Sequence, residues 1–279
     1  MSFTTLVSTA VLASHIDDPV IVDCRSKLDD ERWGEREYMA SHIPGAVYAD
    51  LNRDLSGPKT GTNGRHPLPD PQVLARTFGR LGITSGVQVV AYDQGNGMWA
   101  GRLWWMLRWM GHDAVAVLDG GFAKWTAEGR AATSGQERRA PREYIGTPRA
   151  DMAIDVSAVA SRVGSPDWRL VDARAPERYR GESEPIDRTP GHIPGAVNHF
   201  FGGNVADDQT FRTPEELRAQ FKASLGNTPA DHVICYCGSG VTACHNLLAM
   251  EHAGIRGAKL YVGSWSEWSA DPARPIERG

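Results

Sequence analysis

His232-Val233-Ile234-Cys235-Tyr236-Cys237-Gly238-Ser239-Gly240-Val241-Thr242-Ala243-Cys244-His245-Asn246-Leu247-Leu248 decides how this chain is read. Its first five residues are β-branched, aromatic and apolar, the pattern of a short buried strand. From Thr242 the pattern turns helical, with Leu247, Leu248 and Met250 spaced for one face and Gly254 as a stop. Between them lies a tight loop opened by Cys237 and carrying Gly238 and Gly240. Glycine permits backbone angles that let successive N–H groups turn inward. Such a ring at a helix N-terminus favours negative charge, either a bound anion or a thiolate at Cys237 itself. A buried cysteine in an ordinary strand–helix turn would look the same, and the loop alone leaves both readings open.

An internal repeat organises the rest. Val22-Asp23-Cys24-Arg25 returns as Val171-Asp172-Ala173-Arg174, and His42-Ile43-Pro44-Gly45-Ala46-Val47 returns unchanged at 192–197. Val89-Val90-Ala91-Tyr92-Asp93 aligns with Val233-Ile234-Cys235-Tyr236-Cys237. Gly120 to Trp125 aligns with Gly263 to Trp268. Matches that keep one order over so long a period mean two copies of one domain, not a short-period solenoid. The copies are offset by 150 residues at His42/His192 but by 144 at Tyr92/Tyr236. The first copy therefore carries about six extra residues, in the turn-rich stretch Ser56–Pro67. Extra loop length on a repeated scaffold is where function tends to be placed.

Each copy alternates short apolar strands with helical stretches. In the first, Val20–Asp23, Val47–Tyr48, Val87–Tyr92 and Val115–Leu118 read as strands, and Leu6–His15, Pro71–Leu81 and Gly97–Met110 as helices. This implies an α/β fold, each domain a mostly parallel sheet flanked by helices. Ligands in such sheets bind beyond the carboxyl ends of strands, which is where the Cys237 loop falls. Ala127–Ile154, rich in Arg, Gly, Pro and Ser, reads as a linker, giving domains at 1–144 and 145–279.

Composition excludes several function classes. At 279 residues with 41% hydrophobic content there is material for two packed cores. A formal net charge of −4 gives no electrostatic case for nucleic acid or an anionic membrane. No apolar run approaches membrane-spanning length, and Met1–His15 lacks the pattern of a signal peptide. The four cysteines form neither a disulfide framework nor paired zinc knuckles. Reduced thiols in the cytoplasm are expected, with no metal and no cofactor.

Comparison between the copies sharpens the loop. Asp93 stands where the second copy has Cys237, and a carboxylate is a poor soft nucleophile, so the first copy is expected to be silent. Cys24 and Cys235 fall in core strands and are expected to be inert, while Cys244 is the weaker second candidate. A cysteine phosphatase would need an arginine six residues after the nucleophile, to fork onto phosphate oxygens. Here that position is Ala243, which argues against phosphoryl chemistry.

The Cys237–Ala243 loop, the duplicated HIPGA turns and Gly263-Ser264-Trp265-Ser266-Glu267-Trp268 together resemble the two-domain rhodanese family over essentially the whole chain. Thiosulfate-specific members usually carry basic residues directly after the cysteine. Neutral Gly238 and Ser239 resemble the mercaptopyruvate branch instead. The resemblance implies a sulfurtransferase in which a Cys237 persulfide carries sulfane sulfur from 3-mercaptopyruvate to a thiol, thioredoxin or cyanide, releasing pyruvate. It implies a loop of Gly238, Gly240, Val241 and Thr242, and a Ser239–His66–Asp50 relay that spans both copies and assists the leaving group. It implies two arginines for the donor carboxylate. Arg178 matches the first, while Ile186 stands where the second would follow Glu184-Pro185, leaving Arg188 as the substitute. Arg25 and Arg174, like His42 and His192, recur in both copies and read as scaffold. Thiosulfate:cyanide sulfur transfer is the alternative activity, and a non-catalytic sulfur-carrying or binding module the alternative class.

Overall fold

The computed structural model describes residues 2–14 and 18–279. It contains two five-stranded, all-parallel sheets, one per copy of the repeat. The first comprises β1 (Leu6–Val7), β2 (Val20–Asp23), β3 (Val47–Tyr48), β4 (Val89–Tyr92) and β5 (Val115–Leu118), with α1 (Thr9–Ser14), α2 (Trp33–Ala40), α3 (Pro71–Arg80), α4 (Ala100–Trp109) and α5 (Gly121–Ala127). The second comprises β6 (Ala153–Ile154), β7 (Arg169–Asp172), β8 (Val197–Asn198), β9 (Val233–Tyr236) and β10 (Lys259–Tyr261). Its helices are α6 (Val156–Ala160), α7 (Pro176–Tyr179), α8 (Pro214–Leu225), α9 (Thr242–His252) and α10 (Ser264–Trp268).

The strand orders, β1-β5-β4-β2-β3 and β6-β10-β9-β7-β8, are the same topology twice. Even the register repeats, with Asp23 beside Tyr92 and Asp172 beside Tyr236. In each sheet one central strand (β4, β9) leads by its helix to one side, and its neighbour (β2, β7) leads to the other. That divergence at the strands' carboxyl ends opens a crevice, and the loops at Asp93 and Cys237 begin there.

By packing, one compact unit comprises 1–57, 69–149 and 207–211, and the other 58–68, 150–206 and 212–279. The stretch 58–68, from the insertion, thus packs with the second sheet. Val90, Tyr92, Ala116, Leu118 and Trp125 anchor the core of the first unit, and Ile234, Tyr236, Tyr261, Trp265 and Trp268 that of the second. Trp104 and Trp105 are buried and Trp105 stacks on Trp109, so these tryptophans are core.

Several local expectations shift. Leu6 and Val7 form an edge strand on β5 instead of opening a helix, because their backbone pairs with Val117 and Leu118. His15, placed at the end of that helix by sequence, lies outside the described residues. Gly97 adopts φ +81°, which a helix cannot use, so α4 starts at Ala100. The stretch read as a linker is an ordered strap on the first unit as far as Arg149. Thr133 bridges His42, Arg142 N–H caps the Gly79 carbonyl at 2.9 Å, and buried Tyr144 packs edge-on to Phe78. Its last residues, Ala153–Ile154, are strand β6. Low hydrophobic periodicity did not mean looseness here, since the strap is held by backbone hydrogen bonds.

The duplicated motifs are scaffold, as their recurrence suggested. Arg25 donates to Asp23 through Nε and Nη2 (2.9 and 2.7 Å) and to the Ser41 carbonyl (2.6 Å). Arg174 repeats this with Asp172 and the Gly191 carbonyl. Each pair ties a strand end to the residue preceding the HIPGA turn. His42 and His192 each stack on a tyrosine and place Nδ1 2.7 Å from that tyrosine's own carbonyl oxygen. Replacing Arg25 with Ala would leave the fully buried Asp23 carboxylate without its cation. Urea unfolding should show that variant destabilised by about 3 kcal/mol; a loss under about 1 kcal/mol would mean the pair is not structurally required.

Candidate active site

The two equivalent loops are built alike. After β9, the carbonyls of Cys237 and Gly238 accept N–H bonds from Trp265 and Ser266 at 2.9 Å, at the start of α10. After β4, the carbonyls of Asp93 and Gln94 accept from Phe122 and Ala123 in the same way. With carbonyls turned outward to the next helix, the loop N–H groups turn inward.

In the first unit a carboxylate fills that ring. Asp93 Oδ1 accepts from Gly95 and Gly97 N–H (3.0 Å each), and Oδ2 from Trp99 and Ala100 (2.8 and 3.2 Å). In the second unit sulfur takes the place. Cys237 Sγ accepts from Gly240 N–H at 3.1 Å and from Ser239 N–H at 3.4 Å, and the residue is 2% exposed. Val241 to Ala243 then open α9, and the first N–H groups of a helix have no acceptor within it. The ring is therefore preorganised for negative charge on sulfur.

Ser264 was not singled out by sequence. It adopts φ +54°, rare outside glycine, where the first copy has Gly121 at +55°. Its Oγ accepts the Cys237 N–H at 3.1 Å and donates to the Tyr261 carbonyl at 2.9 Å, so a strained backbone is held where the loop begins.

Ser239 joins the sulfur to a histidine. Its N–H points at Cys237 Sγ while its Oγ lies 2.8 Å from Nδ1 of buried His66. His66 comes from the insertion that the repeat offsets marked. Asp50 is in the first unit, where Oδ1 accepts from Asn52 and Arg53 N–H (2.9 and 2.7 Å) and Oδ2 lies 3.5 Å from the Tyr48 hydroxyl.

Arg178 extends toward the loop. Its Nε and Nη2 hold Glu184 at 3.2 and 2.7 Å, and Nη2 reaches Asp187 at 3.2 Å. Burial pushes the Glu184 carboxyl up, but Arg178 and the Asp187 and Ile186 N–H groups outweigh it and hold it below its ordinary value. Burial, with help from Glu184, leaves Asp187 raised despite Arg65 and Arg178 beside it. Arg188 is exposed and joins none of the ion pairs among the described residues. A different arginine, Arg65, comes to the loop: its Nη2 lies 2.7 Å from where a Cβ on Gly238 would stand. The sequence signal for it was position alone, one residue before His66 in the insertion.

The other thiols are buried in the scaffold. Burial pushes the Cys24 and Cys235 thiols well up. Cys244 donates to the Gly240 carbonyl at 3.2 Å. No group of three or more His, Cys, Asp or Glu side chains suited to a metal occurs among the described residues, and none of their helices is long and apolar enough to cross a membrane.

A tandem α/β scaffold with two equivalent loops, one filled by the Asp93 carboxylate and the other by the Cys237 sulfur, defines the class. The Rhodanese-like domain family matches the chain twice, over residues 8–128 and 155–271. This chain belongs to that family, as two domains in tandem, and it is a sulfurtransferase. A Pseudomonas aeruginosa protein named "Probable 3-mercaptopyruvate sulfurtransferase" is 47% identical across 100% of both chains. The thiosulfate sulfurtransferase of Cricetulus griseus is 35% identical, over 99% of this chain and 96% of its own. Among solved structures, the 3-mercaptopyruvate sulfotransferase SseA of Escherichia coli superposes with a TM-score of 0.81 at 33% identity, over 94% of this chain and 99% of that one.

The Asp93 loop offers a direct test of the ring. Asp93→Ala would strip four inward N–H groups of their acceptor and should cost about 3 kcal/mol in urea unfolding. Native-like stability in that variant would show that the ring does not need an anion.

Proposed function

We propose that the chain transfers sulfane sulfur from 3-mercaptopyruvate through a persulfide on Cys237. The thiolate attacks the donor sulfur, forming an S–S bond as the donor C–S bond breaks. The C–S electron pair departs into the pyruvate enolate, which is then protonated to pyruvate. A thiol, including a thioredoxin, or cyanide takes the outer sulfur and regenerates the thiolate. Inward N–H groups stabilise sulfur anion both before and after transfer.

One observation carries this reading above a passive sulfur carrier. Ser239 is hydrogen-bonded to Cys237 Sγ through its backbone N–H and to His66 through its Oγ, which supports a hydroxyl–imidazole pair beside the thiol as the proton source for the leaving group. A binding module would have no use for that coupling. We assign Ser239 and His66 to protonation of the departing enolate, Asp50 to orienting His66 on the strength of the family resemblance, and Arg178 to the donor carboxylate. Gly238, Gly240, Val241 and Thr242 form the anion-binding loop. The four free cysteines support a reducing, cytoplasmic setting.

Steady-state kinetics with 3-mercaptopyruvate and with thiosulfate test the assignment. Cys237→Ser should abolish turnover with both, and intact mass after donor alone should show one added sulfur, lost on treatment with a thiol. Turnover by Cys237→Ser would end the persulfide mechanism. A higher kcat/KM for thiosulfate would overturn the donor while leaving the chemistry. Arg178→Ala should raise the donor KM, roughly tenfold, more than it lowers kcat.

A further inference from the structure

His66 and Ser239 stand 173 positions apart in the chain, yet their side chains meet at 2.8 Å. A proton-delivering pair works only when its geometry is held to within about 0.5 Å. One hydrogen bond between two side chains does not achieve that, so the backbones that carry them must be fixed to each other by something else.

Ser266, in α10, makes that connection. Its N–H donates to the carbonyl of Gly238, the residue before Ser239, at 2.9 Å. Its Oγ accepts the N–H of Arg65, the residue before His66, at 3.1 Å and donates to the Gly263 carbonyl at 3.1 Å. The contacts close a ring, running from Ser266 to Gly238, along to Ser239, across to His66, and back through Arg65. Backbone spacing across the imidazole–hydroxyl link is therefore set by Ser266. All of these residues belong to the second packing unit. Arg65 also pairs with Asp187, but that bond acts at the end of a long side chain and constrains the main chain less.

The segment that carries His66 is fitted closely to Ser266. Gly64 adopts φ +84°, and a Cβ there would stand 2.8 Å from the Gly263 carbonyl oxygen and 3.2 Å from Ser266 Oγ. A side chain at 64 would lift the segment away. The first copy supplies the comparison. Ala123 holds the place of Ser266, and its N–H donates to the Gln94 carbonyl at 3.0 Å in the same way. The main-chain half of the device is thus common to both copies. The hydroxyl occurs only in the copy that receives the histidine-bearing segment.

We infer that Ser266 is a positioning residue, which sets His66 against Ser239 by holding the two backbone segments in register. Its place in the reaction rests on the reading under Proposed function, in which that pair protonates the departing enolate.

The test follows pyruvate release in a single turnover with 3-mercaptopyruvate, and nitrogen-15 histidine NMR without any donor. Ser266→Ala should slow release roughly fivefold, with the half-saturating donor concentration unchanged. Ser266→Thr, which keeps the hydroxyl, should restore most of the rate. Added to His66→Gln, Ser266→Ala should change the rate by less than about twofold, because no imidazole is left to position. The ring-nitrogen resonances of His66, identified by their loss in His66→Gln, should move in Ser266→Ala and return in Ser266→Thr. Unmoved resonances in Ser266→Ala overturn the inference. So does a fall in rate that recurs in full in the double variant, which would mark a general structural effect. Moved resonances with an undiminished rate in His66→Gln would uphold Ser266 as the holder of His66 and reject His66 as the proton source.

Discussion

A ring of backbone N–H groups at the carboxyl end of a central strand is the constraint on which this protein depends. Such a ring requires an occupant, because inward-facing donors cut off from water are expensive to leave unmet. The protein meets the requirement in two ways on one scaffold. Asp93 supplies a permanent carboxylate and turns the first loop into structure. Cys237 places a thiol sulfur in the second ring. The geometry that satisfies the carboxylate in one ring is preorganised for negative charge in the other.

Around both rings the supports are duplicated with little change. The Asp–Arg pairs, the HIPGA turns with their stacked histidines, and the helix that receives the loop carbonyls recur in each unit. The copies differ around the Cys237 loop. The insertion contributes His66, hydrogen-bonded to Ser239, and Arg65, set over Gly238. Ser264 replaces a glycine at a left-handed position and uses its hydroxyl to secure the Cys237 N–H.

The charge around the loop is balanced, not simply positive. Arg65 and Arg178 are countered by Glu184 and Asp187, which orient them as much as they neutralise them. A guanidinium held by one edge keeps the other for a ligand, and its planar fork makes that free edge directional.

The two-copy organisation, the alternating α/β pattern and the placing of Cys237 and Asp93 in equivalent loops were all legible in the sequence. Those features rest on local periodicity, on repeated motifs and on glycine-permitted turns, all of which are written along the chain. His66 was legible only through the unequal spacing of the copies and a family resemblance. Tertiary structure alone decided the rest. Arg65 became a neighbour of Gly238, Arg188 stayed in solvent, the 130–149 strap packed on the first unit, and Leu6–Val7 paired as an edge strand. The physical reason is common to these cases. Which arginine reaches a loop, or which strand accepts two apolar residues, depends on long-range contacts. One-dimensional spacing carries no record of them.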